Sequence, residues 1–388
     1  MRGKRLLMIP GPIEFTDEVL AETGKSTLSH VDPVFIEDFG QALEKMRSVW
    51  LSPKGQPFVV AGSGTLAMEL AVANVTEPGD EVLVVNAGYF SDRMADVFRT
   101  HGAKVDIVPS VIGDLPTVEA VRKRLGAKKY KVMSITHVDT STGARADVRG
   151  LAAAARDAGV LSIVDGVCAV AGEELRQDEW GVDIALTASQ KALGVPPGLA
   201  LLIAGPRALD VFRARKHPVG SYYCDWKNWL PVMEAYEARK AAYFGTPAVN
   251  LVRALKVSLG QILEEGMDAR FRRHALGARA FRAGMKAMGM SFVPVREELC
   301  ASTLSAPFYP EGIDAGVLRL VAAEGVVLAG GLHPEIKSKY FRIGHMGMSE
   351  APEILATVGA IERGFAKAGY RFEMGAASAA AQAIFSEG

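Results

Sequence analysis

The chain has 388 residues, enough for one large hydrophobic core and a smaller second one. Lys+Arg 44 balance Asp+Glu 44, and a formal net charge of +0 argues against nucleic acid or an anionic membrane surface as the main partner. Hydrophobic residues make up 49%, yet no apolar run reaches membrane-spanning length, and the start MRGKRLLMIPGP has too short an apolar stretch for a secretory leader.

Between residues 57 and 203, short β-branched runs alternate with helical patterns. The strand candidates are 58–62 (FVVAG), 81–88 (EVLVVNAG), 104–110 (KVDIVPS), 131–139 (KVMSITHVD), 161–166 (LSIVDG), 182–189 (VDIALTAS) and 199–205 (LALLIAG). Helical spacing fills 66–75, 92–100, 116–125 and 151–158. Such alternation predicts an α/β fold with a mainly parallel, seven-stranded sheet covered on both faces. Ligands then bind at the carboxyl ends of the strands.

After Pro247 the pattern becomes a long helical stretch, 251–288, interrupted by Gly260 and Gly266. Three strand-like pieces follow (291–295, 303–308, 340–344), with helices near 315–324 and 352–368 and an alanine-rich tail that suits a frayed helix. The expected division is a large unit, 16–250, and a smaller C-terminal α+β unit, 251–388, to which 1–15 contribute. Cys168, Cys224 and Cys300 are widely spaced, with no CxxC pair and no disulfide framework, so a reducing, cytoplasmic setting is expected.

Lys191 stands in TASQKALGVPPG, a loop between two apolar strands with little surface to offer a charge. Desolvation there favours a neutral, nucleophilic amine, the requirement for a Schiff-base lysine such as one carrying pyridoxal phosphate. Such a cofactor needs a pyridinium partner, a ring stack, a phosphate cup and a substrate-carboxylate clamp. Asp165 closes the strand LSIVD, where a carboxylate is costly unless a cation faces it. It suits a pyridinium partner, a helix N-cap or a strand-end salt bridge. The turn AGSGT, with Ser63, Gly64 and Thr65, opens a helix and suits one phosphate. It is not a dinucleotide fingerprint, because position 67 is alanine.

Phe90, in NAGYFSDR, follows another strand and is placed either to stack on a flat ring or to pack in the core. THVDTSTG puts the Thr140 hydroxyl at a strand end, where it reads as a contact to the cofactor or as part of a polar turn. Arg342, inside the apolar run YFRIGHMG, requires an anionic partner: a core carboxylate or a substrate carboxylate held bidentately. The seven histidines show no metal-ligand spacing, and no G-x-S-x-G hydrolase motif is present.

Together LLMIPGPI, FVVAGSGT, FSDRMADV, THVDTSTG, DEWGVDIALTASQKA, AYFGTP and YFRIGHMG resemble the class V aminotransferases of pyridoxal-phosphate fold type I. Within them they are most similar to the alanine:glyoxylate and serine:pyruvate group, its yeast-type alanine:glyoxylate branch above all. The likeness runs from the first motif to the last. It implies that Lys191 forms the Schiff base, Asp165 pairs with the pyridine nitrogen and Phe90 stacks on the ring. Ser63, Gly64, Thr65 and Gln190 would hold the phosphate, together with Tyr243 and Thr246 reaching across from a second copy in a homodimer. Thr140 replaces the family's usual serine beside the cofactor, Arg342 matches its carboxylate-binding arginine, and Gly11 and Pro12 match the stretch lining the substrate mouth.

The expected reaction moves an amino group from alanine to glyoxylate, giving pyruvate and glycine, with serine as an alternative donor. No second arginine stands out in the sequence for a dicarboxylate donor, although the loop 213–227 carries candidates. Competing readings are a cysteine desulfurase-like lyase, which needs an activated cysteine, a nicotinamide-dependent dehydrogenase, which leaves Lys191 and Arg342 unexplained, and a catalytically dead scaffold.

Overall fold

A computed structural model describes residues 5–387; residues 1–4 and 388, which fall within the expected smaller unit, lie outside the described residues. One seven-stranded sheet organises the larger part of the chain, in the spatial order Gln56–Ala61, Leu199–Ala204, Ile184–Ala188, Leu161–Asp165, Val132–Thr136, Glu81–Val85, Lys104–Val108. Leu199–Ala204 runs antiparallel to both its neighbours, and every other adjacent pair is parallel. All seven coincide with the expected runs.

The apolar continuity of these strands has a simple cause. Ile184–Ala188, Leu161–Asp165 and Leu199–Ala204 are buried at every position, as central strands covered on both faces must be. Parallel neighbours need crossovers, and Tyr89–Thr100, Val118–Ala127 and Val148–Asp157 supply them. The exception is the reversal from Ile184–Ala188 into Leu199–Ala204, which needs only a loop, and that loop carries Lys191. The strand ends Ala61, Val85, Thr136, Asp165 and Ala188 therefore lie along one edge of the sheet.

Helix Pro33–Val49 covers part of this core. Asp32 caps it by accepting from the Val34 N–H at 2.8 Å, Pro33 opens it, and Phe35, Phe39, Ala42, Leu43 and Met46 form its buried stripe. A second core gathers Met8, Phe281, Met285, Val317, Val321, Phe341, Ile343, Ile354, Val358 and Phe365. Around it lie a two-stranded pairing of Leu6–Leu7 with Val326–Val327 and a three-stranded sheet, Ala329–Gly330, Phe341–Gly344, Leu304–Ser305.

Three local expectations need correction. The run 291–295 forms no strand beyond an isolated bridge between Phe292 and Pro307. The ladder stops because Pro294 has no N–H to give and the Val295 N–H turns to the carbonyl of Gly113. The stretch 251–288 is two helices, Val249–Glu265 and Met267–Ala287, broken at Gly266, whose φ of +82° ends the first; Gly260 stays helical. The tail is a docked helix, Ala376–Glu387, with Ala377 and Ala381 fully buried. It comes close at Gly284, where a Cβ would stand 3.0 Å from the Ala377 carbonyl oxygen. Among the described residues no helix is long and apolar enough to cross a membrane.

Candidate active site

The sheet edge opens into a cavity of about 190 Å³ lined by Ser63, Gly64, Thr65, Phe90, Thr140, Asp165, Gln190 and Lys191, eight of the residues expected from sequence. Met68, Arg93, Val138, Val167 and Cys168 complete its wall. Lys191 enters from the loop 189–198, which Ser189 fastens by donating its hydroxyl to the Pro196 carbonyl at 2.8 Å. Its amine donates to the carbonyl of Pro10. Burial lowers the amine's pKa below the usual lysine range; Cys168 and Asp165 pull it up, and the Arg342 charge pushes it further down.

Asp165 is 3% exposed, and among the described residues its carboxylate takes one hydrogen bond, 3.0 Å from the Val167 N–H to Oδ1. Burial raises its pKa to about 7, and the nearby Asp139 adds to this against the Val167 bond and the charges of Lys191 and Arg93. A carboxylate so placed is poised to gain from a cation set opposite it.

The helix Gly64–Val75 begins at the cavity, and no side chain caps it: Ser63 occupies the N-cap without bonding back. Its first N–H groups and the positive end of its dipole are thus available to an anion. Gly64 is required for packing, since a Cβ there would stand 3.1 Å from Val167 Cγ2 and 3.3 Å from Ala188 Cβ. Among the described residues, Gln190 Oε1 is buried with no hydrogen-bond partner.

Arg342 lies beyond the lining, on strand Phe341–Gly344. Its Nε donates to the Gly330 carbonyl at 2.9 Å and one terminal nitrogen to the Thr140 carbonyl at 3.2 Å. Among the described residues no carboxylate pairs with it, so the core-carboxylate reading fails. Burial pulls its pKa below the ordinary arginine value. Gly11 touches the lysine directly: a Cβ there would fall 2.7 Å from Lys191 Cδ. Pro12 is exposed. Tyr243 and Thr246 are not brought to the cavity: Tyr243 is 65% exposed with its ring 5.3 Å from that of His30, and Thr246 lines an open groove with Ser29 and His30.

Two residues escaped the sequence reading. Arg93 donates to Thr65 Oγ1 at 3.2 Å and to Tyr89 Oη at 3.3 Å, with its guanidinium carbon 4.9 Å from the centre of the Phe90 ring. Its signal was the helical i,i+3 spacing from Phe90. Asp139, fully buried, accepts from the Phe90 N–H at 2.9 Å and the Ser141 N–H at 2.8 Å, and so fixes the turn that carries Phe90. His137, by contrast, is buried, and burial first and the Arg145 charge second lower its pKa to about 3, which leaves it neutral and unsuited to acid catalysis. Cys168 is 1% exposed, and burial raises its thiol pKa, so it is no thiolate nucleophile.

The family model for class-V aminotransferases matches residues 16–345. The chain belongs to that family. A relative in Saccharomyces cerevisiae, alanine--glyoxylate aminotransferase 1, is 39% identical across 88% of this chain and 92% of its own. L-aspartate--glyoxylate aminotransferase of Paracoccus denitrificans is 34% identical across 98% of this chain and 96% of its own. The crystal structure of ureidoglycine-glyoxylate aminotransferase from Bacillus subtilis superimposes with a TM-score of 0.93 at 28% identity, covering 100% of this chain and 99% of that one.

This class-V aminotransferase is a transaminase with pyridoxal phosphate as its cofactor. The cavity suits that group on its own chemistry: an uncapped helix start and an unpartnered Gln190 Oε1 at one end, a buried carboxylate short of partners at another, and an amine of lowered pKa.

Proposed function

We propose that this aminotransferase moves an amino group from alanine to glyoxylate, yielding pyruvate and glycine. The observation that carries the reading is one cavity holding the Lys191 amine and the buried Asp165 carboxylate, with the Arg342 guanidinium tied to Thr140 of its wall and, among the described residues, paired with no carboxylate. The 39% identical yeast relative supports alanine as donor, and the Paracoccus relative makes aspartate the donor to test against it. Arg93, the second arginine that the sequence did not reveal, is tied to Thr65 beside the helix start, which supports a role at the phosphate rather than at a donor side chain.

Pyridoxal phosphate, when bound, supplies the carbonyl that exchanges amino groups and a ring that absorbs the electron pair left at Cα. Lys191 would anchor it and then take and return the Cα proton at Nζ, a task eased by the lowered pKa that burial gives the amine. Asp165 would hold the ring nitrogen protonated. Opposite charges about 4 Å apart at an effective dielectric near 20 interact by about 4 kcal/mol, and a cation so placed would favour the ionised carboxylate that burial alone disfavours. Phe90 would stack on the ring, and Thr140 would offer its hydroxyl to the cofactor. Ser63, Gly64, Thr65 and Gln190 would receive the phosphate. Arg342, held by Gly330 and Thr140, presents its remaining donors to the substrate carboxylate.

The assembly that goes with this reading is a homodimer. Tyr243 and Thr246 stand at the surface away from their own cavity, and a second copy would receive them at its phosphate end. Three buried free cysteines fit a cytoplasmic setting. A panel of donors (alanine, serine, aspartate) against acceptors (glyoxylate, pyruvate), followed by absorbance of the bound cofactor, tests the assignment. Alanine with glyoxylate should give the highest kcat/KM; a higher value for aspartate would refute it.

A further inference from the structure

Helix Met267–Ala287 begins far from the cavity in sequence, yet its first turns fasten three parts of the site at once. Arg270, 3% exposed, donates from Nε to the Ala171 carbonyl at 2.7 Å and from a terminal nitrogen to the Ala192 carbonyl at 2.8 Å. Ala192 follows Lys191, and Ala171 lies in the loop that leaves Asp165. Ala171 holds a φ of +65°, a conformation that a non-glycine residue rarely adopts and that persists only when its surroundings impose it. One guanidinium thus ties the loops of both residues to a single point.

One helical turn on, Arg273 donates to the carbonyls of Gly347 at 3.0 Å and Ser349 at 2.9 Å, in the segment that continues the Arg342 strand. His274 receives the Gly347 N–H at 2.9 Å. Glu265 closes the cluster, accepting from Arg270 at 2.7 Å and from Arg273 at 2.6 and 2.9 Å. Glu265 closes the first helix just before the break at Gly266, and so stands beside the start of the next. Burial alone would raise the Glu265 pKa, but the bond from Arg273 and the charge of Arg270 outweigh it, so the group stays ionised.

We propose that Glu265, Arg270 and Arg273 are positioning residues for transamination: Arg270 sets the Lys191 and Asp165 loops against each other, and Arg273 sets the arm carrying Arg342 against both. The proposal rests on the transaminase reading above. Side chains that surround these loops for stability alone would not divide their effects in this way, because, apart from the Glu265 they share, Arg270 bonds to the lysine and aspartate loops and Arg273 to the arginine arm.

The test uses holoenzyme carrying Arg270→Lys, Arg270→Met, Arg273→Met, Arg273→Lys or Glu265→Gln. Arg270→Lys should move the pH midpoint of the bound cofactor's absorbance by about 0.5 pH and lower kcat about tenfold with KM little changed. Arg273→Met should raise the donor KM about tenfold with kcat nearly kept, and Arg273→Lys should recover part of the loss. Variants that lower only the melting temperature, leaving the absorbance midpoint, kcat and KM as in wild type, would overturn the proposal. The absorbance titration needs no turnover, so it decides the proposal even where no donor in the panel is converted. If Arg270→Met does not fold, the charge-keeping Arg270→Lys and the isosteric Glu265→Gln supply the same comparison.

Discussion

Replacing Gly11 with alanine should displace the Lys191 amine. A Cβ on residue 11 would stand 2.7 Å from Lys191 Cδ, 2.8 Å from Nζ and 2.9 Å from Cε, whereas ordinary contact begins near 3.4 Å. The side chain must therefore recede by about 0.7 Å (3.4 − 2.7), and the flexible partner in this contact is Lys191. A misplacement of about 1 Å at a reacting group costs about 100-fold in rate, so a loss of roughly 10- to 50-fold in kcat is expected. The backbone adds a second penalty: a φ of +123° is open to glycine and costs a side-chain-bearing residue about 1–3 kcal/mol, which lowers stability as well. Single-turnover rates with excess alanine, beside melting curves, separate the two effects. Gly126→Ala is the control, because its Cβ would meet nothing within 4 Å and it lies in helix Val118–Ala127. A Gly11→Ala enzyme with wild-type single-turnover rate would show that the lysine is not confined by residue 11.

Other outcomes follow from the same site. Lys191→Ala should abolish turnover and covalent attachment of the cofactor, read by borohydride reduction and mass measurement; retained turnover would refute its role. Asp165→Asn should lower kcat/KM about 1000-fold, the equivalent of about 4 kcal/mol. In the cofactor-free chain the folded state keeps the Asp165 proton up to about pH 7 while the unfolded state releases it near 3.9, so this group's contribution to stability falls as pH rises between those values and is level above. Denaturant midpoints should show wild type losing about 2–3 kcal/mol relative to Asp165→Asn between pH 5 and 7. Arg342→Met should raise the donor KM about 10- to 100-fold, as loss of a charge-assisted pair demands, with cofactor binding unchanged by absorbance titration. Size-exclusion chromatography should give twice the chain's mass, and Tyr243→Ala should weaken cofactor affinity although Tyr243 lies outside its own chain's cavity.

Much of the site was readable because strand ends announce themselves. Apolar runs closed by GSGT, GYF, HVDT, DGVC and SQK place five polar clusters on one edge as soon as the sheet is parallel, and eight of the expected residues do share one cavity. Arg93 stays hidden in the sequence because the helix Tyr89–Thr100 begins before the expected stretch 92–100, and only that earlier start makes Phe90 and Arg93 i,i+3 neighbours. The run 291–295 misled because β-branched composition says nothing about where an N–H will find its acceptor; the Val295 N–H finds Gly113, remote in sequence.

Local chemistry settled which strands form and which residues can react, since period, turn residues and a lysine between buried strands are properties of short stretches of chain. Distances between such stretches are not. The lack of a carboxylate beside Arg342, the closeness of Gly11 to Lys191 and the hold of Arg270 on two loops arise from residues far apart in the chain. Each depends on how the second core packs against the sheet edge, a sum of many apolar contacts that no single segment specifies. Lys191 is legible as a reactive amine from its own loop; what it faces is a consequence of the packing.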